Sequence, residues 1–239
     1  MTRDKDGAFQ RGSALFMILM AVALFAALAF TFSRGLQQGS ENLSERQADL
    51  AATDILGFAS KAERTISTML QARGRSEVDL NFDGLNGTYT NSYCSSDACK
   101  FFSPAGGGMA PMVPMARWLD PTQTGALYYG SWYASARFCV DGVGDSSTCI
   151  GTSGTDLLLI LPYLQARICE RINLKLGIAA PVPVIAAPGA IDAGGKFDGS
   201  FNPGSQAVWS DAALNGRNAG CFSDTSLGTY HFYQVLIAR

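Results

Sequence analysis

The run from Ser13 to Phe32, SALFMILMAVALFAALAFTF, carries no charged residue. Twenty uncharged residues wound at ~1.5 Å each match the ~30 Å hydrocarbon layer of a bilayer. Backbone polar groups in such surroundings have only one another as partners, which makes the stretch helical. Arg3, Lys5 and Arg11 precede it and Arg34 and Arg46 follow, a weak bias towards a cytoplasmic N-terminus. A cleaved secretory signal is the rival reading, because Ala27-Leu28-Ala29 fits a small-residue cleavage rule. The apolar stretch continues past that point through Phe30 and Phe32, so the expectation is a retained transmembrane helix over 13–32.

Helical patterning then carries on. Ala51, Ile55, Phe58, Ala62, Ile66 and Met69 recur at steps of four, three, four, four and three, one stripe of an amphipathic helix. Arg46, Asp49, Ser60, Arg64, Ser67 and Gln71 fall on the other side. Gly35, Gly39 and Gly57 weaken the helix locally, by ~1 kcal/mol each relative to Ala. Gly74 is its expected stop. A helix from Ser13 to Arg73 would measure roughly 90 Å, with its second half packing a globular domain on the apolar stripe.

From Ser76 onward short apolar runs alternate with Gly, Pro, Asn and Asp. Strands are expected at Val78 to Phe82, Gly87 to Tyr93, Lys100 to Phe102, Ala126 to Val140, Thr155 to Leu161 and Thr229 to Ala238. Ala126 to Val140 reads as a hairpin around Gly130. A second helix is expected from Pro162 to Leu176, with Pro at the first position and Gly177 at the stop. Residues 179 to 188 read as an extended apolar arm. The organisation is therefore a leader over 1–12, the membrane helix over 13–32, its amphipathic continuation over 33–74 and an extracytoplasmic globular domain over 75–239. The expected fold class is α+β: a long N-terminal helix packed on a small antiparallel β-sheet and stapled by disulfides.

Cys94, Cys99, Cys139, Cys149, Cys169 and Cys221 all follow the apolar run. An even number confined to one side of a membrane segment indicates disulfides in an oxidising compartment, which puts that side outside the cytoplasm. Zinc is the rival, but its sites favour closely spaced cysteine pairs with histidine, and His231 is the only histidine. Nearness along the chain favours Cys94–Cys99 and Cys139–Cys149 as local clips and Cys169–Cys221 as the long bridge; other pairings stay open. A net charge of −2 without a basic block excludes an extended nucleic-acid surface.

The candidate sites are few. His231 sits in an alternating strand-like run, TYHFYQVLIAR, with no nucleophile signature to serve, so the chain is not expected to be an enzyme. Gly106-Gly107-Gly108 precedes no helix signal and resembles no phosphate loop. Asp141 and Asp145, with Ser146, put hard oxygens on a glycine-bearing loop, a weak calcium candidate against a plain turn. An EF-hand would place Glu where Thr152 stands, and Asp192, Asp198 and Asp211 are weaker still. No other cofactor is implied. Tyr128, Tyr129, Trp132 and Tyr133 form either core or a binding face.

Gln10-Arg11-Gly12 ahead of SALFMILMAVALFAALAF resembles the N-terminus of type IV pilins and type II secretion pseudopilins. The resemblance implies cleavage by a prepilin peptidase after Gly12, with Ser13 becoming the first mature residue. It also implies a spine helix that packs against other pilin-like subunits, first in the lipid bilayer and then in a filament. The fifth mature position is Met17, where the family usually has Glu, and the first is Ser13 where Phe is common. These departures resemble a minor subunit rather than the bulk one. The expected location is the bacterial inner membrane, with residues 75–239 in the periplasm or an extracellular filament. The alternative is a single-pass anchored periplasmic module that binds a glycan or a secretion partner through the aromatic segment.

Overall fold

The computed structural model describes residues 10–144, 155–186, 191, 195–201 and 207–239; within the first helix, side chains are described at 16–26 and from 44 onward. The chain divides into two compact units, Met1–Gln47 and Ala48–Arg239. Helix α1 covers Gln10–Gln71. Among the described residues no helix is long and apolar enough to cross a membrane, which corrects the expectation of a membrane-spanning segment.

The second unit is built on a six-stranded sheet: β1 (Tyr133–Val140), β2 (Asp156–Leu164), β3 (Val184–Ile185), β4 (Ala207–Trp209), β5 (Ala219–Asp224) and β6 (Thr229–Ile237). The strand order is β3-β5-β6-β2-β1-β4. The four inner strands pair antiparallel, whereas β4 runs parallel to β1 and β3 parallel to β5. The sheet is therefore mixed and wider than the small antiparallel one expected from the sequence. The difference lies in two edge strands of two and three residues, which are too short to leave an alternation pattern. Such short edges also leave little open backbone for another chain to pair with.

All nine residues of β2, DLLLILPYL, are buried. That run is continuous rather than alternating because both faces of the central strand are covered. Leu157, Leu159 and Leu161 join one cluster with Ile55, Ile66 and Met69 of α1 and with Ile168 and Ile172. Leu158 and Ile160 join the other with Tyr133, Trp209, Phe222 and the loop residues Ile178, Ile191 and Leu214. Helices, together with the irregular stretch over 76–131, thus cover one face, and later irregular segments the other. The stripe residues of α1, from Ala51 to Met69, are all buried on the helix side. Each large aliphatic side chain placed there contributes ~1.5–3 kcal/mol. Gln234, the polar residue of β6 on that face, donates from Nε2 to Glu63 Oε2 at 3.1 Å and so ties the sheet to α1.

The second helix, α2, spans Ala166–Lys175, four residues later than expected. Pro162 lies inside β2, where the pairing with β6 shifts register between Leu161 and Leu164. Lacking an N–H, proline is tolerated at such an irregularity, and the neighbouring Tyr163 takes a left-handed φ of 59°. At the other end Gly177, with φ 70°, closes the helix as its N–H donates to Leu174.

Residues 76–131 contain none of the named strands, contrary to the runs expected at Val78 to Phe82, Gly87 to Tyr93 and Lys100 to Phe102. An isolated bridge joins Asn81 and Lys100. Asparagine side chains take the place of a ladder: Asn91 Nδ2 donates to the carbonyls of Val78 and Leu80 at 2.9 and 2.8 Å, and Asn81 Nδ2 donates to that of Tyr89 at 3.0 Å. The expected hairpin over Ala126 to Val140 is likewise only one strand. Gly130, at φ 75°, belongs to the turns that lead into β1.

Candidate functional site

Gly12 and Ser13 lie in α1, outside the residues whose side chains are described. Just beyond them, every residue from 16 to 26 is exposed to solvent. Phe16 and Met17 are each 68% exposed, Leu19 63% and Phe25 77%. Apolar surface that large and contiguous is expensive in water, and it is the usual mark of a surface meant for a partner or a lipid phase.

The aromatic segment has the opposite character. Trp132 and Tyr133 are fully buried on opposite faces of the sheet. Trp132 packs on Phe58 of α1 at 4.9 Å between ring centroids and meets Phe232 edge-on at 5.9 Å. Tyr133 stacks under Tyr128 at 4.2 Å and donates from its hydroxyl to the carbonyl of Ile191 at 2.9 Å. Tyr128 and Tyr129 are only half-buried, but with their two neighbours inside the core they make no contiguous aromatic face. Of the four, Trp132 and Tyr133 belong to the core and Tyr128 and Tyr129 lie half-buried.

Disulfides join Cys94 to Cys99 and Cys169 to Cys221. The first clips a turn in the irregular segment. The second locks α2 onto β5, inside the core. Cys139 is a buried half-cystine of β1, and Cys149 lies outside the described residues.

Asp145 and Ser146 of the calcium candidate also lie outside the described residues. Asp141 is engaged as a structural turn residue: its carboxylate accepts from Ser210 Oγ at 2.9 Å and its carbonyl from the Gly216 N–H at 2.8 Å. Among the described residues no three His, Cys, Asp or Glu side chains converge as a metal site.

His231 is wholly buried in β6. Burial pushes its pKa down to about 4, with the nearby Asp224 carboxylate opposing the shift. Nε2 shares a 2.7 Å hydrogen bond with Thr229 Oγ1, while the ring lies 5.4 Å from Tyr163 and 5.5 Å from Phe222. A neutral imidazole enclosed this way has no route to a substrate.

Residues that carry the structure without having stood out in the sequence include Asn173 and Asp156. Asn173 is buried on α2, beside Ile172. Its signal was a polar residue on the helix's apolar side. Asp156 opens β2 with a fully buried carboxylate, which accepts from the N–H groups of Val140 and Arg239 at 2.9 and 3.1 Å. Burial raises its pKa to about 6, and the two N–H donors hold it from rising further. An acidic residue directly before five aliphatic ones was its sequence signal.

Compared with known proteins, the chain matches no family model, no curated protein and no solved structure.

Proposed function

We propose that this protein is a structural subunit of a pilus-like or secretion-associated filament, of the minor pilin or pseudopilin kind, and that it acts by assembly through its N-terminal helix. The observation that carries the reading is the wholly exposed apolar surface from Phe16 to Ala26. The second unit, Ala48–Arg239, holds a buried core of its own. The equivalent helices of other subunits are the apolar surroundings that would cover the exposed surface. The location proposed is the bacterial inner membrane, with the stapled domain outside the cytoplasm, where disulfides such as Cys169–Cys221 persist. The alternative of an anchored binding module loses its strongest contact residues, since Trp132 and Tyr133 are core.

Intact-mass measurement on membrane-extracted protein tests the proposal. Loss of residues 1–12, followed by recovery of the chain in sheared surface fractions, is the expected result. A mature chain starting after Ala29 and fully soluble in water would remove the assembling helix and the reading with it.

A further inference from the structure

Lys61, Arg64 and Arg73 line one cleft of about 250 Å³, whose opposite wall includes Gly107. Spacings of three, four and seven put Lys61, Arg64, Thr65 and Thr68 on one exposed face of α1. Both threonine hydroxyls are fixed, Thr65 Oγ1 donating to the Lys61 carbonyl at 2.8 Å and Thr68 Oγ1 to that of Arg64 at 2.9 Å. Arg73 Nη1 donates to the Ala105 carbonyl at 3.2 Å, which ties the glycine loop to the end of the helix. A Cβ on Gly107 would collide with the Phe101 carbonyl and crowd the Thr65 methyl. The loop backbone therefore lies directly against the helix, and the wall facing the three cations includes no side chain at that point. This gives the Gly106-Gly107-Gly108 run a role that its sequence context did not suggest.

The charge balance of the cleft is one-sided. Arg75, Lys100, Lys175 and Arg239 each have a carboxylate within ion-pair reach. Among the described residues none is paired with Lys61, Arg64 or Arg73. Glu63, the nearest acid along the helix, is held by Gln234 of β6. Cations that line one cleft without a counter-charge leave it with a positive field, and an anion seated there lowers that energy. Guanidinium forks beside an ammonium suit a tetrahedral oxyanion, because Arg offers paired donors and Lys a point charge.

We propose that this cleft is a binding site for a phosphate group, either free or carried on a lipid headgroup. The test uses the full chain in zwitterionic detergent, titrated calorimetrically with inorganic phosphate and, separately, with the same micelles doped with phosphatidic acid. Saturable binding is expected with at least one probe, weakened about tenfold or more in Lys61→Gln/Arg64→Gln. Arg117→Gln, which removes an exposed cation elsewhere, is expected to bind like wild type. Response to phosphate assigns a free anion, and response to the doped micelles alone assigns a headgroup. Should the double variant melt early, Arg64→Gln alone, read the same way, decides. Absence of saturation with both probes, undiminished binding in the cleft variants or an equal loss in Arg117→Gln would overturn the site. Neither titration depends on filament assembly, so failure here leaves the proposed function standing.

Discussion

Asn173 pairs with the backbone of Cys221 as a neighbouring strand would. Its Oδ1 accepts from the Cys221 N–H at 2.9 Å and its Nδ2 donates to the Cys221 carbonyl at 2.8 Å. The two-residue β3 reaches only Ser223 and Asp224 of β5, so Cys221 has no strand on that side. Asn173→Leu leaves both groups buried and unpaired, a loss of ~2–5 kcal/mol. Chemical denaturation of the oxidised protein measures it. A loss under ~1 kcal/mol would mean that Cys221 finds other partners.

The covalent link beside this pair has its own expected signature. Cys169–Cys221 closes a separation of 52 residues and Cys94–Cys99 one of 5. In the chain-entropy model the long bridge contributes ~4 kcal/mol and the short one ~2. Replacing Cys169 and Cys221 by Ala therefore lowers the unfolding midpoint more than replacing Cys94 and Cys99. The long-bridge variant and Asn173→Leu are also expected to be non-additive, because both act on Cys221. A double-mutant cycle reads the coupling.

Asp156 and His231 give opposite pH dependences over nearly the same range. The folded-state pKa of Asp156 is about 6 against an ordinary 3.8, so between those values the native state holds the extra proton. Its contribution to stability is greatest at low pH and is lost as pH rises through 6. His231 sits at about 4 against an ordinary 6.5, so there the unfolded state holds the extra proton. Its contribution is present above 6.5 and is lost as pH falls through 4. The two slopes nearly cancel, and wild-type stability is expected to be flat from about pH 4 to 6 where these groups titrate. In Asp156→Asn, stability climbs with pH across that range, by ~3 kcal/mol in all. In His231→Phe it falls by a similar amount. Denaturant midpoints of the three proteins at several pH values check this, and parallel profiles would refute it.

How much of this was readable beforehand follows from pattern length. The α1 stripe repeats over about five turns, and its six apolar positions are buried where periodicity put them. The long strands left clear runs near 156–164 and 229–237. By contrast β3, β4 and β5 are short, and β5 (AGCFSD) carries glycine, cysteine and serine in place of branched residues. Pro162 looked like a helix start because a proline before an amphipathic stretch usually is one. The strand beneath it tolerates the ring only through a shift in register with β6. The irregular stretch over 76–131 is held by long-range bonds, such as the Ala134 N–H donating to the Tyr89 hydroxyl at 2.9 Å, that local sequence does not encode. The cationic cleft escaped for a similar reason: its glycine wall is 34 or more residues along the chain from the cations it faces.

The exposed helix and the buried aromatic pair are expected to respond to substitution in opposite ways. Leu19 is exposed within the apolar run and is not one of the buried core residues, so Leu19→Arg leaves every core side chain unchanged. Its thermal midpoint is expected to shift by less than ~0.5 kcal/mol in free-energy terms. A charge there costs ~2.5–3.5 kcal/mol in apolar surroundings, enough to drop the chain from sheared surface fractions. Trp132→Ala opens a cavity against Phe58 and Phe232 and is expected to cost ~3–5 kcal/mol of stability. Such a protein still carries its exposed helix, and the fraction that folds is expected to appear in the sheared material. Thermal melts paired with shear fractionation separate the two. If Leu19→Arg left the sheared fraction unchanged, the run from Phe16 to Ala26 would not be the assembling surface. The apolar exposure would then need another occupant.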